Sequence, residues 1–221
     1  KKESLTLKHG FDYFYGIPYS NDMSKKEQNL MGNNYYNTEL PFYQQETIIE
    51  TEPDQALLTK RLTEYAVSFI EKQKEKPFFL YLAHPMPHIP LYASEAFKGK
   101  SIRGKYGDAV EEIDWSVGQV LDALKKYNLH SNTLVIFTSD NGPWLSYGID
   151  GGSAGLLKDG KGSTCEGGFR VPCIMWGKNI KSGIVTDMAS TLDLLPTFCE
   201  LAGVKLPEDR EYDGGNLTQV L

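Results

Sequence analysis

Histidine and cysteine are scarce in this sequence, with four and three residues among 221. The cysteines Cys165, Cys173 and Cys199 are odd in number and form no Cys-x-x-Cys pair. Neither a disulfide scaffold nor a zinc cluster is therefore expected, and the three read as buried free thiols. Long apolar runs are missing too. None approaches the roughly 20 residues of a membrane-spanning helix, so no membrane span is expected. Concentrated positive charge is also lacking. The 23 Lys and Arg are scattered against 29 Asp and Glu, giving a net charge of −6, and the basic pairs Lys1-Lys2 and Lys25-Lys26 read as solvated loop residues. That pattern excludes the basic footprint of a nucleic-acid binder.

What is present is the material of one sizeable domain, since 40% of the residues are hydrophobic. Residues 1–50 show no sustained period and read as mostly irregular. Residues 51–74 read as a helix, with an N-cap signature at Thr51-Glu52-Pro53-Asp54 and Leu58, Leu62, Tyr65 and Phe69 on one side. The apolar run Pro77–Ala83 fits a strand buried on both faces, as in a parallel sheet. A second helix is expected over about 106–127, with Val110, Ile113, Val117, Val120, Leu121 and Leu124 as its stripe. Strands follow at Thr133–Thr138 and Val171–Trp176, the latter with Pro172 at an edge or start. A last helix over 191–202, with Leu195, Phe198 and Leu201 inward, stops at Gly203. This order predicts an α/β fold with a largely parallel central sheet flanked by helices. The core is expected over 51–205, and 206–221 as a lead into a further subdomain.

Parallel sheets gather ligands at the carboxyl ends of their strands, so two segments carry the chemistry. The first is His84-Pro85-Met86-Pro87-His88-Ile89-Pro90, where two histidines project from a proline-stiffened loop. On chemistry alone His84 and His88 are equally plausible. The second is Thr138-Ser139-Asp140-Asn141-Gly142-Pro143. A carboxylate beside an amide oxygen suits a hard cation such as calcium or magnesium, although an Asp-Asn pair alone is usually only a turn. Nine of the 27 residues from Gly142 to Gly168 are glycine, and among them lies Gly160-Lys161-Gly162-Ser163. Glycines let the backbone approach a ligand closely while the ammonium offers a point charge to an oxyanion.

Taken with Thr164-Cys165-Glu166-Gly167-Gly168-Phe169-Arg170-Val171-Pro172, these runs resemble the paired signature of the formylglycine-dependent sulfatases. Gly10–Ser20, Phe78–Ala93 and Arg103–Asp114 resemble further stretches of arylsulfatase A or galactosamine-6-sulfatase, so the similarity spans nearly the whole chain. The resemblance implies an alkaline-phosphatase-like fold and hydrolysis of a sulfate ester of a sugar or an aryl alcohol. It makes Asp140 and Asn141 ligands of calcium, with magnesium possible. Lys161 becomes the sulfate-binding lysine and His88 the histidine that binds sulfate and protonates the departing alcohol. Ser20 becomes a substrate-binding serine. Glu166 and Arg170 would organise the loop, and Cys165 would replace a packing aromatic. A periplasmic, secreted or lysosomal location also follows from the resemblance.

One departure is large. The family's nucleophile is a formylglycine made from the Cys or Ser of a Cys/Ser-x-Pro-x-Arg motif, and no such motif occurs here. The expectation is a partial catalytic domain, truncated at both ends, whose intact form would need a formylglycine-generating enzyme. Two rival readings exist. A two-zinc phosphatase or phosphonate hydrolase of the same superfamily needs histidines late in the chain, yet none follows His130. A non-catalytic binder of sulfated sugars would keep the pocket without the nucleophile. Asn216-Leu217-Thr218 matches a glycosylation acceptor, a pattern short enough to arise by chance.

Overall fold

The computed structural model describes residues 5–30, 32, 38–178 and 180–221. The basic pair Lys1-Lys2 lies outside the described residues. Two compact units are present: Lys1–Leu129 with Ser139–Val171, and His130–Thr138 with Pro172–Leu221.

The first unit opens with an antiparallel sheet in the order β1 (Tyr15–Gly16), β2 (Pro41–Gln44), β3 (Thr47–Thr51). Between β1 and β2 lies a short helix, α1 (Lys25–Leu30). The sheet takes part of residues 1–50, expected to be mostly irregular, into regular structure, and it moves Thr51 from a helix cap into a strand. β2 and β3 form a hairpin in which Gln44 pairs with Thr47 across Gln45-Glu46. Gln45 takes φ 58°, a conformation usually signalled by Gly or Asn. Without either residue the turn left no mark in the sequence.

Helix α2 (Leu58–Gln73) is entered through a 3-10 turn, Gln55–Leu57, capped by the Asp54 carboxylate, which accepts the Ala56 N–H at 3.0 Å. Its inner face holds Leu58, Leu62, Ala66 and Ile70 at four-residue intervals. Leu58 and Leu62 form a core cluster with Phe42, each such side chain contributing about 2 kcal/mol on burial. Tyr15, Ile17 and Leu82 close over it.

Helix α3 (Gly104–Lys126) departs from the predicted stripe. Val110 is exposed, while Asp108, Ala109, Glu112, Ile113, Ser116, Ala123 and Leu124 are buried. Polar residues can take the buried face because each has a partner at hand. Asp108 accepts the N–H groups of Gly99, Lys100 and Ser101 at 2.7–3.1 Å, and Glu112 accepts that of Ser94. Ser116 meets Thr63 of α2 at 2.7 Å.

The run Pro77–Ala83 has no regular secondary structure and belongs to no ladder among the described residues. Phe78, Leu80 and Leu82 are half-buried, with Phe78 edge-on to Phe69, whereas Phe79 and Tyr81 are exposed. The predicted doubly buried strand is therefore not formed among the described residues, and the run buries its apolar side chains on one side only.

In the second unit β4 (Val135–Thr138) pairs with β5 (Cys173–Trp176) in antiparallel register, Val135 opposite Trp176 and Thr138 opposite Cys173. Pro172 stands just before the strand, where its missing N–H costs nothing. The α/β class holds, but every ladder among the described residues is antiparallel, which corrects the parallel pairing expected. A central parallel strand needs a neighbour on each side. Among the described residues β4 has only β5 beside it, so Phe137, Ile174 and Trp176 remain exposed. Helix α5 (Leu194–Ala202) follows a 3-10 turn with a Ser190–Asp193 capping box and ends at Gly203 in the left-handed conformation, as predicted. Its expected inward residues Leu195 and Leu201 are exposed instead, and Pro196 and Thr197 are buried. The cysteines are free, yet none is buried: Cys173 is exposed and the other two are half-buried.

Candidate active site

The candidate site lies wholly within the first unit. Its floor is made by backbone. The Asp140–Pro143 turn meets the glycine-rich loop through two hydrogen bonds, Gly142 N–H to the Gly168 carbonyl at 3.0 Å and Lys161 N–H to the Pro143 carbonyl at 2.8 Å. Ser139 stiffens the turn by donating its hydroxyl to the Asn141 carbonyl. The two strands of chain touch so closely that a Cβ on Gly142 would stand 1.8 Å from the Gly167 oxygen. A Cβ on Gly167 would in turn stand 1.9 Å from the Asp159 oxygen. Glycine is required at both places because any side chain would hold the segments apart. The loop ends in α4 (Glu166–Phe169), whose Glu166 and Arg170 pair at 3.5 Å on an exposed surface.

Onto this floor the fold brings the Lys161 ammonium, 2.8 Å from Nε2 of His88. On its other side His88 faces the carbonyl of Ile89, with Nδ1 at 2.6 Å. A carbonyl only accepts, so Nδ1 carries the hydrogen, and in the neutral ring Nε2 presents a lone pair to Lys161. Lys158 takes no such place: its carbonyl receives the Gly167 N–H and its side chain is exposed.

His84 is separated from His88 by function of environment. It is largely buried, and burial pushes its pKa down to about 4. Its Nε2 lies 2.9 Å from the Ser116 hydroxyl, which also meets Thr63, whose hydroxyl donates to the Thr59 carbonyl. The consistent chain of donors runs from His84 Nε2–H through Ser116 and Thr63 to Thr59. That leaves Nδ1 as a buried acceptor without a partner. His84 is a structural histidine of the α2–α3 contact. His9 is exposed, whereas His130 is half-buried with an unpartnered Nδ1.

Ser20 precedes a 3-10 turn, Asn21–Met23, and reaches this region through its neighbour: Asn21 donates its amide to the Pro90 carbonyl of the His88 loop at 3.3 Å. Asp140 is exposed and Asn141 half-buried. Among the described residues no group of three or more His, Cys, Asp or Glu is arranged to hold a metal ion. The oxygen donors of Asp140 and Asn141 fit calcium in kind, but two residues supply fewer than the six to eight ligands it takes.

One participant escaped the sequence reading. Trp144, directly after Pro143, lays its ring beneath Lys161, with Nζ 4.6 Å from the centroid, and tilts against the His88 ring at 5.6 Å. A tryptophan amid glycines at the end of a strand was the available signal.

Comparison with known proteins places the chain in a family. A sequence profile of the sulfatase family matches residues 1–204. The chain belongs to the sulfatase family. It is 43% identical to mouse (Mus musculus) N-acetylgalactosamine-6-sulfatase over 222 residues, which is 96% of this chain and 42% of that protein. It is 47% identical to human (Homo sapiens) steryl-sulfatase over 171 residues, 74% of this chain and 29% of that protein. The crystal structure of Ps i-CgsB superposes with a TM-score of 0.79 at 36% identity, covering all of this chain and 52% of that one. The chain thus spans less than half the length of these two sequence relatives and shares the alkaline-phosphatase-like fold of the sulfatases. No helix among the described residues is long and apolar enough to cross a membrane.

Proposed function

We propose that the protein containing this chain is a sulfuric ester hydrolase acting on a sulfated carbohydrate or aryl sulfate, and that this chain supplies part of its active site. The observation that carries the proposal is the 2.8 Å pairing of Lys161 with His88, on a loop bonded to the Asp140–Pro143 turn. A cation and an imidazole held together in this way match the needs of sulfate ester cleavage, where negative charge spreads over the sulfate oxygens and the departing alkoxide needs a proton.

Lys161 supplies positive charge to the sulfate oxygens, the kind of preorganised electrostatic contribution that is usually the largest in such transfers. His88 gives a proton from Nε2 to the leaving oxygen, its ring held by the Nδ1–H bond to Ile89. To do so the ring must first take up a proton from solvent at Nε2, so that Lys161 keeps its charge for the sulfate. Ser20 joins the substrate-binding set from the Asn21 side. Asp140 and Asn141 offer oxygen ligands to calcium, or to magnesium in its place. When bound, the cation would offset sulfate charge, and a formylglycine made by a formylglycine-generating enzyme would supply the attacking oxygen.

The test compares 4-nitrophenyl sulfate with 4-nitrophenyl phosphate as substrates of the intact gene product, with calcium present and after chelation. The proposal expects sulfate hydrolysis that chelation abolishes. Preference for the phosphate, or binding of sulfated sugars with no turnover, would replace it.

A further inference from the structure

We infer that Trp144 is a positioning residue that fixes the Lys161 ammonium beside His88, and so sets the efficiency of the sulfate-cleaving site proposed above. A lysine head is a point charge on a flexible four-carbon stem, and by itself it samples many positions. Here it is held from two directions. His88 Nε2 takes one of its hydrogens at 2.8 Å, and the indole face of Trp144 lies 4.6 Å from Nζ. Indole is the strongest aromatic partner for a cation because its π face carries the most negative potential.

The indole is itself well braced. Tyr147 packs edge-on against it at 4.7 Å and 70°. The buried cluster of Met86, Ile89, Leu91, Ala109 and Ile113 supports it from below. Its backbone N–H donates to the Gly151 carbonyl at 3.0 Å, closing the 3-10 segment Leu145–Asp150 behind it. The ring also touches His88, at 57° between planes. One side chain therefore contacts both members of the catalytic pair, and its own orientation depends on neither. The aromatic face, rather than bulk alone, is the property that matters: Trp144→Phe keeps a weaker face in the same place, and Trp144→Leu fills space without one.

The experiment uses the intact gene product and two readouts. The first follows the Lys161 ε-methylene signal in protein labelled with ¹³C at lysine Cε, the resonance being assigned by its loss in Lys161→Arg. A ring-current upfield shift is expected in the natural protein, is retained in part by Trp144→Phe, and vanishes in Trp144→Leu. The second is steady-state hydrolysis of 4-nitrophenyl sulfate. Trp144→Leu should lower kcat about tenfold with KM little changed, and Trp144→Phe should recover most of the loss. An unshifted Lys161 signal in the natural protein overturns the inference, as does a Leu variant with natural kcat. A shifted signal that Trp144→Leu abolishes, in a protein that cleaves no sulfate ester, upholds the positioning by Trp144 and counts against the sulfatase reading alone.

Discussion

Lys161 and His88 stand 73 positions apart in the chain, yet the lysine ammonium donates to the imidazole Nε2 at 2.8 Å. Nothing local to either residue produces this. The histidine is set by the proline loop and its bond to Ile89, the lysine by the Pro143 carbonyl that receives its backbone N–H. Each anchor is backbone and fixes where its side chain starts, while the flexible lysine head is held in place by His88 and Trp144.

If His88 protonates the leaving group, its loss should matter most when that group leaves poorly. His88→Gln is expected to slow hydrolysis of a sugar or alkyl sulfate by about 10²–10⁴-fold, and that of a nitrophenyl sulfate far less. Measuring kcat/KM for both esters in the natural and variant proteins checks this. Equal losses on the two would assign His88 to sulfate binding only.

The crossing of Gly142 over Gly167 leaves no room for a methyl group, with 1.8 Å available to a Cβ. Gly142→Ala must push the Asp140-Asn141 turn away from the lysine loop. A stability loss of about 1–3 kcal/mol is expected, together with a deeper loss of turnover than that alone would cause. Thermal unfolding and activity on the same preparation separate the two effects. A variant with natural melting and natural rate would contradict the close crossing.

Buried His84 makes the fold sensitive to acid. Above its ordinary value of 6.5 the imidazole is neutral whether the chain is folded or not. As pH falls toward about 4, the unfolded chain takes up a proton that the folded one refuses. Stability should therefore decline between pH 6.5 and 4, by up to about 3 kcal/mol at the lower end. Urea titrations across this range read the slope, and His84→Leu should flatten it whatever it does to stability at pH 7.

Asp108 ties α3 to the chain that leads into it. Burial alone would raise its pKa, but the N–H groups of Ser101, Gly99 and Lys100 more than offset this and hold the carboxyl below its usual range. Asp108→Ala strands three donors and is expected to cost about 2–3 kcal/mol, whereas Asp108→Asn, which keeps an acceptor oxygen, should cost less. Chemical denaturation of the two variants distinguishes the cases.

Read alone, the sequence marked the bounds of α3 and α5 and the end of α2 within a few residues, because helix periodicity and caps are local properties, but it started α2 seven residues early. Glycines and prolines drew attention to the segments that carry Asp140, Asn141, Lys161 and His88, but it was the resemblance to the sulfatases that singled out these residues. The sequence could not mark the β2–β3 hairpin, whose Gln45-Glu46 turn lacks Gly and Asn. Nor could it show which face of α3 is buried, since Asp108, Glu112 and Ser116 turn inward only where distant donors and hydroxyls await them. The choice between His84 and His88 likewise came from packing on the chemistry side. One is sealed against Ser116 between helices, and the other is left beside Lys161. Trp144 shows the same division: its identity is written in the chain, but its place under the ammonium follows from contacts with segments that only folding brings near.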